Sequence, residues 1–218
     1  MAARRESVSG RKERAERIRL RLRERFPDAH CELDFADPWQ LAVAVVLSAR
    51  CTDVKVNQVT PALFQRFPTP AALVKVNPVD IEPYVKSLGF FRNKAKSLVG
   101  LARALVEGHG GEVPRDREAL EAMPGVGRKT AGVILAVAFG EPALPVDTHV
   151  SRVSQRLGLT QEEDPDRIEA DLTALWPREH WVALHHGLIW HGRRICHARK
   201  PDCDACPLAE DCPHATAP

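Results

Sequence analysis

The stretch Leu120-Glu-Ala-Met-Pro-Gly-Val-Gly-Arg-Lys-Thr130 decides how this chain is read. Ahead of it, Asp116-Arg-Glu-Ala-Leu-Glu-Ala122 reads as a short helix with Asp116 placed to cap it. Pro124 removes a backbone donor, and Gly125 and Gly127 permit positive φ, so the chain turns sharply there instead of continuing the helix. Beyond the turn, Ala131, Ile134, Leu135 and Ala138 recur at helical spacing and Gly140 closes the run. The pattern predicts helix, tight glycine hairpin, helix, with N–H groups at the second helix's start open to an anion. Three readings compete: an ordinary αα-corner, a nucleotide P-loop, and a helix-hairpin-helix that grips a DNA phosphate. The P-loop fails, because its lysine must directly follow the glycine, where Arg128 stands, and no strand pattern precedes it. Corner and DNA grip both remain, and Lys129 and the later Asp147 bear on the choice.

The chain has 218 residues, 44% of them hydrophobic, enough for one large or two small cores. A net charge of +2 and a pI near 8.3 permit nucleic-acid binding without demanding it. No apolar run is long enough to span a membrane. The arginine-rich N-terminus has the charge of a transit peptide, but Glu6, Glu13, Glu16 and Glu24 are out of place in one, and a secretory signal's apolar core is missing. A cytoplasmic protein is expected, nucleoid-associated if bacterial, with its six cysteines reduced or metal-bound rather than paired.

Taken in order, residues 1–11 are polar and read as disordered. Glu13 to Phe26 forms a very basic helix with Ala15, Ile18, Leu22 and Phe26 as its apolar stripe; its arginines read as a solvated face balanced by glutamates, and Pro27 stops it. Asp37-Pro38 starts a helix whose run Trp39–Leu47 is almost wholly apolar and therefore buried. A polar loop Ser48-Ala-Arg-Cys-Thr-Asp53 follows, with Asp53 read as the cap of the next helix and Pro61 as its kink or restart. Asn77-Pro78 opens a helix ending at Gly89, and Phe91 to Gly108 makes a longer one with Ala95, Leu98, Val99, Ala102, Leu105 and Val106 inward. Phe90 reads either as an exposed loop aromatic or as packed back on its helix. Asp147-Thr-His-Val150 opens a helix closed by Gly158, Asp164-Pro165 one running to Trp176, and Arg178–His191 the last long one. No segment alternates with period two and no repeat recurs, so the expected class is all-α.

Cys196, Cys203, Cys206 and Cys212 are spaced C-x6-C-x2-C-x5-C, short enough to wrap one compact centre. A [4Fe–4S] cluster accepts four thiolates at uneven spacing, whereas zinc sites pair short knuckles that the six-residue gap does not match. Zinc and a pair of disulfides stand behind the cluster as alternatives. Arg193, Arg194, Arg199 and Lys200 flank the loop, free to screen an anionic cluster, approach DNA or stay solvated. Cys31 and Cys51 read as structural, and His185, His186, His191 and His197 as histidines that hold no metal.

The hairpin sequence, then Val146-Asp-Thr-His149, then the four-cysteine loop resemble the endonuclease III family of DNA glycosylase/lyases. Ser48–Asp53, Gly89-Phe-Phe-Arg-Asn-Lys-Ala95 and His185-His-Gly-Leu-Ile-Trp-His-Gly192 match family segments too, so the resemblance runs from about Glu13 to Cys212. It implies a central helical barrel domain over residues 31–141, carrying the helix-hairpin-helix. It also implies a second domain from residues 1–30 and 142–218 that holds a [4Fe–4S] cluster, with the pocket between the two. Its substrate would be double-stranded DNA with damaged bases or abasic sites, and the expected state is a monomer.

The chemistry can be argued from the residues. A damaged base inside a duplex must be flipped out before it can be reached. A neutral lysine can then attack the sugar C1′, expel the base as an imine forms, and permit β-elimination of the 3′ phosphate. Lys129 stands at a helix N-terminus, where the dipole disfavours a cation, and a partly buried pocket would favour the neutral amine further. Asp147 can stabilise the cationic sugar and relay protons while it caps a helix. The resemblance places both as catalytic, with Gly125, Gly127 and Arg128 at the DNA backbone. Arg50 replaces the family's frequent glutamine in the loop that fills the vacated stack, and Phe90 replaces a frequent leucine wedge. Both substitutes suit those tasks, but they shift the expectation for lesion and opposite-base preference. The expected activity is a bifunctional glycosylase and abasic-site lyase for oxidised pyrimidines. The alternatives are an adenine-mismatch glycosylase of the same fold and a non-catalytic helix-hairpin-helix DNA-binding protein with a structural metal.

Overall fold

The structure, a computed structural model, describes residues 6–215. All regular structure in them is helical: α1 (Val8–Arg25), α2 (Pro38–Leu47), α3 (Asp53–Arg66), α4 (Pro70–Leu73), α5 (Pro78–Val85), α6 (Phe91–His109), α7 (Arg117–Glu121), α8 (Arg128–Phe139), α9 (Thr148–Arg156), α10 (Pro165–Thr173) and α11 (Trp181–Arg194). Short 3-10 turns occupy Lys86–Leu88, Arg178–His180 and Ala209–Asp211. The chain divides into two compact units. One gathers the residues up to Cys31 with those from Pro142 on, and the other is Glu32–Glu141.

In the first unit the stripe Ala15, Ile18, Leu22 of α1 is buried with Val150 and Val153 of α9, Ile168 and Leu172 of α10, and Leu184 and Leu188 of α11. Helix α1 starts earlier than its apolar stripe suggested. Ser7 accepts the amide of Gly10 at 3.0 Å, so residues 8–11, expected to be disordered, form the first turn, while residues 1–5 lie outside the described residues. Two later boundaries also move. Arg178–His180 forms a 3-10 turn after Pro177 and α11 begins only at Trp181, while α10 ends at Thr173, short of Trp176.

The second unit is built around α2, in which every residue from Leu41 to Leu47 is buried. Its three valines each cost up to about 0.7 kcal/mol as helix formers. Each buried valine side chain returns about 1.5 kcal/mol or more, so burial decides the helix. Helix α2 packs against α8, α6 and α3. The cap of α3 is Thr52, whose hydroxyl faces the amide of Lys55, and not Asp53, which becomes the first helical residue. The helix runs through Pro61 without a restart, because buried Val56 and Leu63 on either side outweigh one lost hydrogen bond. After Val85 the helix tightens into the 3-10 turn Lys86–Leu88 before Gly89, and Val106 of α6 is only half-buried.

The hairpin between α7 and α8 is seated on α6 by contacts that leave no room for a Cβ. One added to Gly100 would lie 2.8 and 2.9 Å from Pro124 carbons, and one on Gly125 2.8 Å from Ser97 Cβ and 3.2 Å from Val46 Cγ1. Gly125 also has φ +82, a conformation glycine adopts without penalty. Gly127 does not share it: its φ is −97. Buried Met123 and Val126 anchor the turn from below.

Gly100→Ala tests this seat. Alanine in a helix interior ordinarily gains about 1 kcal/mol over glycine. Here the clash with Pro124 should reverse that sign, with a net loss of about 1–2 kcal/mol in urea unfolding, as overpacking predicts. A stabilised variant would mean that the hairpin can move aside freely.

Candidate functional site

Helix α8 begins at Arg128 with Gly127 in the cap position and no side-chain cap bond, and its first turn holds no acidic residue. The first N–H groups of any helix have no intrahelical partner. A Cβ on Gly127 would meet nothing within 4 Å, so the space in front of this terminus is open. Arg128 and Lys129 stand in that first turn and are exposed. The partly buried setting expected for Lys129 is therefore not present. Its first-turn place leaves the side chain pointing outward while Val126 and Ala131 turn in.

Arg50 and Phe90 are brought together. They are the only non-glycine residues with positive φ among the described residues, at 55° and 47°. The Arg50 guanidinium carbon lies 5.6 Å from the centroid of the Phe90 ring, within cation–π range. Phe90 is 63% exposed, so it does not pack back on α6, whose N-terminus it forms without a side-chain cap. An exposed aromatic ring and a planar cation on two left-handed backbone positions form a paired projection that can enter a base stack.

Asp147 caps α9. Its Oδ1 accepts both the His149 and Val150 amides at 2.8 Å, which leaves Oδ2 for other work. Beside it, the His149 Nδ1 lies 3.1 Å from Arg152 Nη2. Guanidinium only donates, so Nδ1 accepts and the ring is neutral. Burial pushes His149 below its ordinary value, against the pull of Asp147, in agreement with that. The close packing of Gly192 on His149, 3.0 Å from its Cβ to an added methyl, keeps α11 against this corner.

The four cysteines of the C-terminal loop line one cavity, together with Arg156, His191 and Ile195. Tetrahedral zinc would draw four sulfurs to about 3.8 Å from one another. No three His, Cys, Asp or Glu side chains among the described residues converge tightly enough for a single ion. Four thiols that share one cavity suit a multi-iron centre. Burial pushes the Cys203 and Cys206 thiols up, and the neighbouring thiols Cys212 and Cys196 add to it, so a cationic centre beside them would favour their thiolates. Arg156 donates to Cys196 Sγ at 3.2 Å and to the carbonyls of His197 and Ala198 at 2.7 and 2.8 Å, and His191 Nε2 lies 3.7 Å from Cys206 Sγ. Burial holds His186 and His191 down to about 4, so both are neutral core groups.

Sequence reasoning missed the hold on this loop. Arg19 pairs with Glu16 as a face balanced by glutamates expects, but three other arginines of α1 reach the loop: Arg17 reaches Asp211 Oδ1 at 2.7 Å, Arg21 reaches Asp211 Oδ2 at 3.2 Å, and Arg14 donates to Asp211 O at 3.1 Å and Gly158 O at 3.2 Å. Arg194, expected beside the loop, stacks 3.6 Å over Trp190 instead. Arg152 takes the loop's start, donating to Cys196 O at 3.1 Å. Sequence carried no signal for these partners, since Arg17 and Arg21 each have a glutamate at helical spacing, Glu13 and Glu24, that could have served instead.

A profile of the HhH-GPD superfamily of base excision DNA repair proteins matches residues 43–178, and one of the iron–sulfur binding domain of endonuclease III matches residues 196–212. Endonuclease III of Synechocystis sp. is 52% identical over 211 residues, 96% of each chain. Endonuclease III of Bacillus subtilis is 48% identical over 188 residues, 86% of each. Among solved structures, a trapped covalent intermediate of an endonuclease III with DNA is similar at a TM-score of 0.91 and 44% identity, covering 94% of this chain and 96% of that one.

The clamp gives a prediction. Asp211 is 6% exposed and shared by two guanidinium groups, whereas Glu210, the other partner of Arg21, is 82% exposed. Exposed pairs contribute little. Asp211→Ala should therefore release iron from the protein on heating at a lower temperature, and Glu210→Ala should not. Equal iron retention in the two variants would remove the clamp's significance.

Proposed function

Because the chain belongs to the endonuclease III family of base excision DNA repair proteins, we propose that Lys129 is the nucleophile and Asp147 the assisting carboxylate of a bifunctional glycosylase for oxidised pyrimidines. The protein is a DNA glycosylase and abasic-site lyase that acts on double-stranded DNA and carries a [4Fe–4S] cluster. Similarity to endonuclease III along nearly the whole of both chains favours this over an adenine-mismatch glycosylase and over a non-catalytic DNA-binding protein. One observation carries the proposal: Lys129 presents an exposed amine in the first turn of an uncapped helix whose approach is open at Gly127.

The amides of Gly125, Gly127 and Arg128 hold backbone phosphates, and Arg50 and Phe90 enter the stack as the damaged nucleotide leaves it. The Lys129 Nζ lone pair attacks C1′, and the bond from C1′ to the base breaks with its electron pair leaving on the base, which takes up a proton. Opening of the sugar ring gives the imine, loss of a C2′ proton follows, and the 3′ phosphate departs. Asp147, with Oδ1 engaged in the cap, offers Oδ2 to the cationic sugar and to the migrating protons. Cys196, Cys203, Cys206 and Cys212 are the proposed cluster ligands. When bound, the cluster ties four thiolates to one centre and so fixes the loop. The unit Glu32–Glu141 is the proposed barrel domain with the DNA hairpin, and the other unit the cluster domain. Its place of action is the cytoplasm, where the chromosome lies in bacterial relatives; no helix of the described residues is long and apolar enough to cross a membrane.

Borohydride added during turnover should reduce the imine and leave the enzyme covalently attached to DNA, with the adduct mapping to Lys129. Lys129→Ala should abolish trapping while duplex binding persists. Asp147→Asn should bind at least as well yet release base orders of magnitude more slowly, since asparagine caps about as well as aspartate. A Lys129→Ala enzyme that still traps would give the role to another amine.

The two hairpin glycines separate stability from binding. Gly127→Ala, at negative φ with open space around it, should unfold like the parent protein but bind lesion and intact duplexes roughly tenfold more weakly, the worth of one charge-assisted contact. Gly125→Ala should lose stability as well. Unchanged binding by Gly127→Ala would show that phosphate is gripped elsewhere.

A further inference from the structure

Lys94, in the first turn of α6, is 5% exposed. Its Nζ donates to the Leu88 carbonyl at 3.0 Å, and no carboxylate lies against it among the described residues. A buried ammonium is costly to desolvate, and a methionine would fill the same space without that cost. Burial holds Lys94 below the ordinary lysine value, with the nearby Cys51 thiol pulling the other way. The chain tolerates this charge at a place where the backbone is forced. Leu88 ends a 3-10 turn, Gly89 follows at φ 67 and ψ 159, in a region essentially reserved for glycine, and Phe90 stands at φ 47 and ψ 26. Successive residues in such conformations persist only when their surroundings over-determine them. The Lys94 ammonium supplies that constraint at the Leu88 carbonyl, while the helix bond from the residue-94 amide to the Phe90 carbonyl, at 3.1 Å, closes the stretch from the other side. Cys51 follows Arg50, the other left-handed residue, whose guanidinium stacks on the Phe90 ring.

We propose that Lys94 is a positioning residue: its buried ammonium staples Leu88–Gly89–Phe90, so that the Phe90 ring, with Arg50 stacked on it, is held ready to enter the base stack. The proposal rests on the reading of Phe90 and Arg50 as the wedge. Lys94 touches no DNA in this role. It transfers the ordering cost of the wedge from binding to folding, which is preorganisation. Its loss should therefore slow only the step in which a paired nucleotide is extruded, and leave chemistry on an already extruded one alone.

The test uses the cluster-loaded full chain and measures single-turnover base release on two substrates. One is a duplex with the oxidised pyrimidine paired; the other carries the same lesion in an unpaired bulge. Lys94→Met, Gly89→Ala and Phe90→Ala should each be slowed roughly tenfold to a hundredfold on the paired lesion, as a small misplacement of a positioning group predicts. Lys94→Met and Gly89→Ala should run near the parent rate on the bulge. Lys94→Arg should recover the paired substrate, and adding Lys94→Met to Phe90→Ala should slow it no further. Slowing of Lys94→Met on both substrates alike, or on neither while Phe90→Ala loses only the paired one, overturns the proposal and leaves the wedge standing. A Phe90→Ala enzyme at the parent rate on the paired lesion overturns the wedge, and the staple with it. Should Lys94→Met not fold, Gly89→Ala decides alone: its methyl meets nothing within 4 Å, so it alters only the backbone. A parent-like ratio of the two substrates in that variant overturns the staple.

Discussion

The close approach between the hairpin and α6 is the constraint on which the second unit's function depends. Pro124 lies on Gly100 and Gly125 lies on Ser97, at distances that admit no additional carbon. Helix α6 thus carries the proposed wedge at its start, the buried Lys94 in its first turn, and the seat of the hairpin in its middle. From Phe91 to Ser97 a helix rises about 9 Å. A packed helix holds that spacing without further order to impose, so the proposed wedge and the hairpin amides proposed to hold phosphate keep a fixed interval. Van der Waals contact at two glycines achieves this more firmly than hydrogen bonds on an exposed turn could, because the repulsive wall is steep.

The other unit solves a different problem. Its cysteine loop contains few apolar side chains, so it cannot be held by a core of its own. Ile195, Leu208 and Cys212 join it to the unit's core, and charge and backbone carbonyls do the rest: Arg152 and Arg156 take the start of the loop, and Arg14, Arg17 and Arg21 take its end at Asp211. Arg14 is the most connected of these, joining Glu6, Leu157, Gly158 and Asp211 from a single side chain. The chain's first helix and its last loop are thereby made one piece, although nearly 200 residues separate Arg14 from Asp211.

What was legible in the sequence was local. Asp37-Pro38, Asn77-Pro78 and Asp164-Pro165 marked helix starts because capping and the N1 proline act within one turn. The hairpin was readable because Pro124 and Gly125 leave few conformations, and the cysteine spacing because four thiols within one short loop have few uses. What was not legible needed partners distant in sequence or a choice between near equals. Thr52 and Asp53 are both competent caps, and only the path of the backbone selects Thr52. A helix interior glycine such as Gly100 reads as a weakness until Pro124 is seen lying on it. Positive φ at Arg50 and Phe90 has no sequence signature, since neither residue favours it. The burial of Lys94 is equally silent, because lysine at a helix start reads as exposed.

The bare N-terminus of α8 has a thermodynamic consequence for the protein when it is away from DNA. Eight other helices end in a Ser, Thr, Asn or Asp whose side chain serves the first turn, and a cap of that kind contributes about 1 kcal/mol. Gly127 forgoes it. An aspartate there would suit the helix and repel phosphate, so the resting molecule holds less stability than its fold allows. On the proposed phosphate grip the nucleic acid acts as a cap in trans, and the duplex should raise the melting temperature of the element that binds it. Selection for stability alone would fill this position, and its emptiness marks a compromise between endurance and grip.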